Sequence, residues 1–136
     1  MTVIVIDTSA LVKYLLKEEG WRRVSAFLRN NREIASLELA LIEGANAIWK
    51  RYRLYRDVNF ETAQRLLDYL HATREIIIYE NPLEYLPEGE KVALENGIPI
   101  YDALYIAQAL KYGKLATADE RQGKTAEKLG VEVVYL

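Results

Sequence analysis

Five short apolar runs, each separated from the next by at least one stretch of helical spacing, leave this chain few folds to choose from: Thr2 to Ile6, Glu33 to Ser36, Glu75 to Tyr79, Lys114 to Thr117 and Val131 to Tyr135. Short apolar runs bounded by turn signals read as strands covered on both faces. Parallel neighbours need a crossover, usually a helix, and the intervening segments supply them. Helices are expected over Ala10 to about Glu18, Trp21 to Asn30, Glu38 to about Arg53, from an Asn59 cap to near His71, Tyr101 to Tyr112 and Asp119 to Leu129. A further helical stretch opened by Asn81-Pro82 is expected to be interrupted by Pro87 and Gly89. Glu38 to Arg53 is apolar around most of its circumference, which marks it as a core helix. The expected architecture is α/β, a three-layer α/β/α arrangement around a central parallel sheet of four or five short strands.

The chain of 136 residues fits one domain over residues 1–136, and its 51% hydrophobic and 28% charged residues describe a globular protein. A net charge of −2 gives no whole-molecule attraction for polyanions, so any nucleic-acid contact must be local. The absence of cysteine excludes disulfides, thiolate zinc sites and thiol nucleophiles, and fits a reducing compartment. No basic leader or membrane-length apolar run is evident, so the expected location is cytoplasmic, with no membrane partner. His71 is the only histidine, which excludes a two-histidine acid–base nuclease. A glycine-rich phosphate loop is also missing, and Asp7-Thr8-Ser9 lacks the second aspartate of an aspartyl-phosphate transferase.

Four carboxylates stand in or beside apolar segments. Asp7 and Asp119 fall one and two residues beyond the first and fourth expected strands, where ligands bind in open parallel sheets. Both also suit helix N-caps, and Asp119 with Gln122 resembles a capping box. Glu43 has Leu39, Ala40, Asn46 and Ala47 as helical neighbours, so it is either a site residue or an acid at the edge of a stripe awaiting a cation. Asp102 opens a helix among apolar residues, where the helix dipole alone favours an acid by about 0.3–1 kcal/mol. If the four converge, each pair of charges about 4 Å apart repels by roughly 4 kcal/mol at an effective dielectric of about 20. An all-oxygen set of that kind suits Mg²⁺ or Mn²⁺ rather than zinc.

Val5-Ile6-Asp7-Thr8-Ser9-Ala10, Glu43 with Asn46, Tyr101-Asp102-Ala103-Leu104-Tyr105-Ile106-Ala107 and Leu115-Ala116-Thr117-Ala118-Asp119 follow one another as in PIN domains, and the chain resembles that family over essentially its whole length. Its size is similar to that of the VapC-type toxins of toxin–antitoxin pairs. The resemblance implies a metal-dependent endoribonuclease that hydrolyses RNA phosphodiesters with water as nucleophile. Asp7, Glu43, Asp102 and Asp119 would be its catalytic, metal-holding quartet, supported by Thr8, Ser9, Asn46 and Thr117. Glu120, directly after Asp119, is a second candidate for the fourth position. The same resemblance implies a homodimer and a small antitoxin partner whose extended segment blocks the acidic groove. The competing reading is a catalytically inactive PIN-like binding or scaffold module, with the acids serving as caps and ion-pair partners.

Lys50, Arg51, Arg53 and Arg56 interleave with Tyr52 and Tyr55, a pattern able to hold phosphates and stack bases of single-stranded RNA. A solvated helix end has the same composition, so both readings stand. Tyr14, Trp21, Trp49 and Tyr52 likewise suit either an interface or the core.

Overall fold

The computed structural model describes residues 2–136 and pairs five strands into one wholly parallel sheet. The strands are β1 (Ile4–Ile6), β2 (Ile34–Leu37), β3 (Ile77–Glu80), β4 (Lys114–Thr117) and β5 (Glu132–Tyr135). The helices are α1 (Thr8–Leu15), α2 (Trp21–Asn30), α3 (Glu38–Arg53), α4 (Phe60–Ala72), α5 (Leu86–Asn96), α6 (Ile100–Tyr112) and α7 (Glu120–Lys128). Across the sheet the order is β3-β2-β1-β4-β5. The chain therefore starts in the middle, runs outward to β3, returns, and runs outward the other way through β4 to β5. That reversal leaves a crevice at the carboxyl ends of β1 and β4, which pair Val5 with Leu115 and Ile6 with Ala116.

Successive strand residues face opposite layers, and the core divides accordingly. Ile4 and Ile6 pack with Leu11, Val24, Ile34, Ile48 and Leu70. Val5 and Leu115 pack on the other side with Val92, Ile106, Ala126 and Val131. The three-layer α/β expectation therefore holds. The helix buried almost all round is α6, from Ala103 to Ala109, rather than α3. Only Ala40, Gly44 and Ile48 of α3 are buried, while Ile42 is 68% and Trp49 49% exposed. Gly44 lets α3 approach Leu70 of α4 closely, and Leu39, Leu41, Ala45 and Tyr52 flank that seam partly buried, so Ile42 and Trp49 are left on the outer side.

Local chemistry explains the other departures. Helix α1 begins at Thr8 because Asp7 caps it, and it stops at Leu15, short of Glu18, as the backbone turns to a positive φ at Lys17. A 3₁₀ turn over Thr73–Glu75 delays β3 to Ile77. Asn81-Pro82 opens a single 3₁₀ turn, and Pro87 does not interrupt the helical stretch but starts α5, where a missing N–H costs nothing. Gly89 lies inside that helix, at a point where a side chain would press on Leu104 of α6. Gly97 ends α5 with φ 64°, two residues before Pro99 caps the helix that carries Asp102. Gly97→Ala is expected to lower stability by about 1 kcal/mol through left-handed strain, read from the urea midpoint, with Gly97→Asn losing less.

Candidate active site

Asp7 follows β1 with an extended backbone and caps α1. Its Oδ1 accepts the Ser9 hydroxyl at 2.7 Å and the Ala10 N–H at 3.2 Å, and its Oδ2 accepts the Thr117 hydroxyl at 2.5 Å. Capping does not exhaust its role, since the residue is only 3% exposed. Burial pushes its carboxyl up to about 6 against the hydrogen bonds from Thr117, Ser9 and Ala10, and the charge of Asp119 acts in the same upward direction. Ser9 Oγ also accepts the Ala118 N–H at 3.0 Å, so the first turn of α1 is stitched to the end of β4.

Asp119 caps α7, its Oδ1 accepting the N–H groups of Arg121 at 2.9 Å and Gln122 at 3.3 Å, while its own N–H donates to Thr117 Oγ1 at 3.0 Å. The capping box is only half made. Gln122, 5% exposed, donates Nε2 to the Asp102 carbonyl at 2.9 Å and so ties α7 to the first turn of α6. No donor among the described residues reaches the half-buried Asp102 carboxylate. Burial pushes it up, the charges of Asp119 and Glu43 push it further, and Arg121 opposes them.

Glu43 projects from α3 toward α1 and α6. Its Oε1 accepts the Thr8 hydroxyl at 2.6 Å and the Tyr105 hydroxyl at 2.9 Å, and those two hydroxyls lie 2.6 Å apart. Burial and the charge of Glu43 push the Tyr105 phenol well above its ordinary value, so it remains a proton donor. The fold thus gathers Asp7, Glu43, Asp102 and Asp119, with Thr8, Ser9 and Thr117, around the crevice between β1 and β4. On one side Asp102, Asp119 and Arg121 border a hollow of about 390 Å³. On the other, Glu43, Asn46, Lys50 and Tyr101 border one of about 470 Å³.

Among the described residues no three Asp, Glu or His side chains stand close enough, as placed, to grip one ion. The donor chemistry nevertheless fits a hard divalent cation. Every candidate ligand is an oxygen, Glu43 and Asp119 each give one oxygen to the protein, and Asp102 gives none. Glu80 shows the contrasting case of a structural acid: burial acts to raise it, but the hydroxyls of Tyr85 and Tyr112 and the Gln108 amide outweigh that and hold it low.

Other sequence candidates lie elsewhere. Glu120 pairs with Lys124 at 3.4 Å. Arg51 donates Nε to both oxygens of Asp57, at 2.8 and 2.7 Å, and borders a separate hollow between α1, α3 and α4. Arg53 and Arg56 are exposed beyond the crevice, as is His71 at the end of α4. Of the four aromatics, Tyr14 and Tyr52 pack against the core, Trp21 is half-buried and Trp49 is exposed. In the sequence Gln122 figures only as a cap partner and Tyr105 only as part of a motif, and Arg121 is not singled out. Tyr105 had a usable signal, since it stands three residues after Asp102 on the same face of α6.

A sequence profile of the family described as PIN domain matches residues 4–128. Ribonuclease VapC3 from Pyrobaculum aerophilum is 31% identical over 121 residues, 87% of this chain and 90% of that protein. Exonuclease VapC9 from the same organism is 30% identical over 133 residues, 96% of this chain and 92% of that protein. The crystal structure of PAE2754 from Pyrobaculum aerophilum superposes with a TM-score of 0.70 at 28% identity, covering 98% of this chain and 90% of that one.

An acid whose folded pKa lies above its unfolded value weakens the fold once charged. For Asp7 the penalty is absent below about pH 3.8, grows as pH rises, and is complete above about 6, where it reaches about 3 kcal/mol. In chelator, Asp7→Asn is therefore expected to be more stable than wild type at pH 8 by up to about 3 kcal/mol, with the advantage fading toward pH 4. Urea melts across that range check it.

Proposed function

This chain belongs to the PIN-domain family, and from that premise we propose that it is a divalent-metal-dependent endoribonuclease whose site is the acidic crevice between β1 and β4. One observation carries the reading: acids as far apart in the chain as Asp7 and Asp119 meet where burial and neighbouring charge push Asp7 and Asp102 upward. Buried like charges are costly, and a hard cation offsets that cost. Asp7 and Asp102 would hold Mg²⁺ or Mn²⁺, with Glu43 and Asp119 joining directly or through water. When bound, the ion supplies Lewis acidity that makes water nucleophilic and stabilises charge on the phosphate and leaving oxygen.

The chain's own residues supply the order. Thr117, Ser9 and the Ala10 N–H keep Asp7 immobile, so one ligand position is fixed before anything binds. Thr8 and Tyr105 aim Glu43. Arg121 and Lys50, in the hollows on either side, are placed to meet phosphates of an RNA strand lying across the crevice, which supplies the local positive charge that the net −2 lacks.

The likeness to a relative named a ribonuclease supports RNA as substrate, and the relative named an exonuclease makes cleavage from an end the alternative. The VapC likeness also supports a toxin role with a small antitoxin partner; a homodimer and cytoplasmic action belong to the same proposal. No helix among the described residues is long and apolar enough to cross a membrane.

Wild type is expected to cut circular as well as linear single-stranded RNA with Mn²⁺, and to lose cleavage in chelator. Asp102→Asn and Asp7→Asn should each reduce cleavage by at least about a hundredfold while keeping the fold. Mn²⁺ should raise the melting temperature of wild type more than that of either variant. Undiminished cleavage by the variants rejects the quartet, and cleavage confined to linear RNA replaces the endonuclease reading with an exonuclease. Partner binding by a wild type that cuts nothing points to a scaffold.

A further inference from the structure

Thr8 Oγ1, the Tyr105 hydroxyl and Glu43 Oε1 close a triangle with edges of 2.6, 2.6 and 2.9 Å. A carboxylate oxygen only accepts, and each hydroxyl carries one proton, so two protons serve three edges. If both hydroxyls donate to Glu43, their lone pairs face each other at 2.6 Å, an ordinary O–H···O distance. If Tyr105 donates to Thr8 and Thr8 to Glu43, the edge from Tyr105 to Glu43 lacks a proton of its own. In either arrangement, removing one hydroxyl leaves the other with a proton and within reach of the same Oε1. The two side chains come from different elements, α1 and α6, and neither contact uses Oε2.

We infer that Tyr105 is a positioning residue which, with Thr8, forms a redundant clamp on Glu43, committing Oε1 to the protein and presenting Oε2 to the crevice. The inference rests on the ribonuclease reading above. Tyr105 stands one helical turn from Asp102, so the helix that presents Asp102 also sets the direction of Glu43. Asp7 is set by Thr117 on β4 and by Ser9 and the Ala10 N–H of α1, the helix that also carries Thr8. Tyr105 is the link between Glu43 and Asp102.

The test compares Tyr105→Phe, Thr8→Val and the double variant with wild type. Mn²⁺ affinity is read by electron paramagnetic resonance without RNA, and kcat and KM are read at saturating Mn²⁺. Because a hydrogen bond to a charged group corresponds to about ten- to hundredfold, each single variant is expected to lose only about threefold in Mn²⁺ affinity and kcat. The double variant should lose about a hundredfold, far beyond the product of the singles, with KM for RNA unchanged. A double variant no worse than Thr8→Val overturns the clamp. So does a Tyr105→Phe effect confined to urea stability in both backgrounds, which would make the phenol a packing residue alone. If wild type binds Mn²⁺ but cuts no RNA, the ribonuclease reading fails and the affinity cycle still judges the clamp. A wild type that binds no Mn²⁺ overturns both.

Discussion

The bond from the Thr117 hydroxyl to the Asp7 carboxylate spans the crevice that the strand reversal opens between β1 and β4, and it fixes the acid at the centre of the site. Asp7 directly follows the central strand, and Thr117 ends the strand laid beside it after the chain reverses. A carboxylate 3% exposed is an expensive joint unless donors surround it, and Ser9, Ala10 and Thr117 provide three. They do not fully compensate, because the group is still pushed up to about 6. Glu80, with comparable donors but less deeply buried and with Lys111 beside it, is held low instead. Depth of burial is the main difference, and the charge of Asp119 adds to it at the crevice.

How much was legible in the sequence depended on the range of the interaction. The strand at Lys114–Thr117 and the span of Glu38–Arg53 have the expected bounds, because apolar runs and helix periodicity are written in adjacent residues. Asp7 and Asp119 were legible as caps for the same reason. The topology rule then placed them at one crevice. Pro87 was misread because proline both stops and starts helices, and only its tertiary setting shows which. The exposure of Ile42 and Trp49 was hidden because a stripe of small residues leaves no mark in a hydropathy count.

The contacts that shape the site were the least legible. Tyr105 reaches Glu43 across 62 positions and Thr8 across 97. Gln122, which a capping rule assigns to its own helix, instead holds the Asp102 carbonyl 20 residues away. Side-chain bonds at such separations have no local signature, whereas the acids themselves stood out by being in the wrong company. The basic run at residues 50–56 illustrates the opposite error. It looks continuous in sequence, yet Asp57 takes Arg51 while Lys50 alone of that run borders the crevice beside Glu43.

The first strand occupies the middle of the sheet, and this orders events during synthesis. When β1 leaves the ribosome it has neither neighbour. β2 arrives some thirty residues later, but β4 and the hydroxyl that fixes Asp7 lie 110 residues downstream. Contacts of such separation close late, after shorter loops have formed. A nascent chain can therefore build the β1–β2–β3 half of its sheet without assembling the crevice, and any fragment truncated before Thr117 lacks it altogether. The acidic site is thus among the last parts of the sheet's carboxyl edge to close, because its central carboxylate waits on a hydroxyl from the far side of the chain reversal.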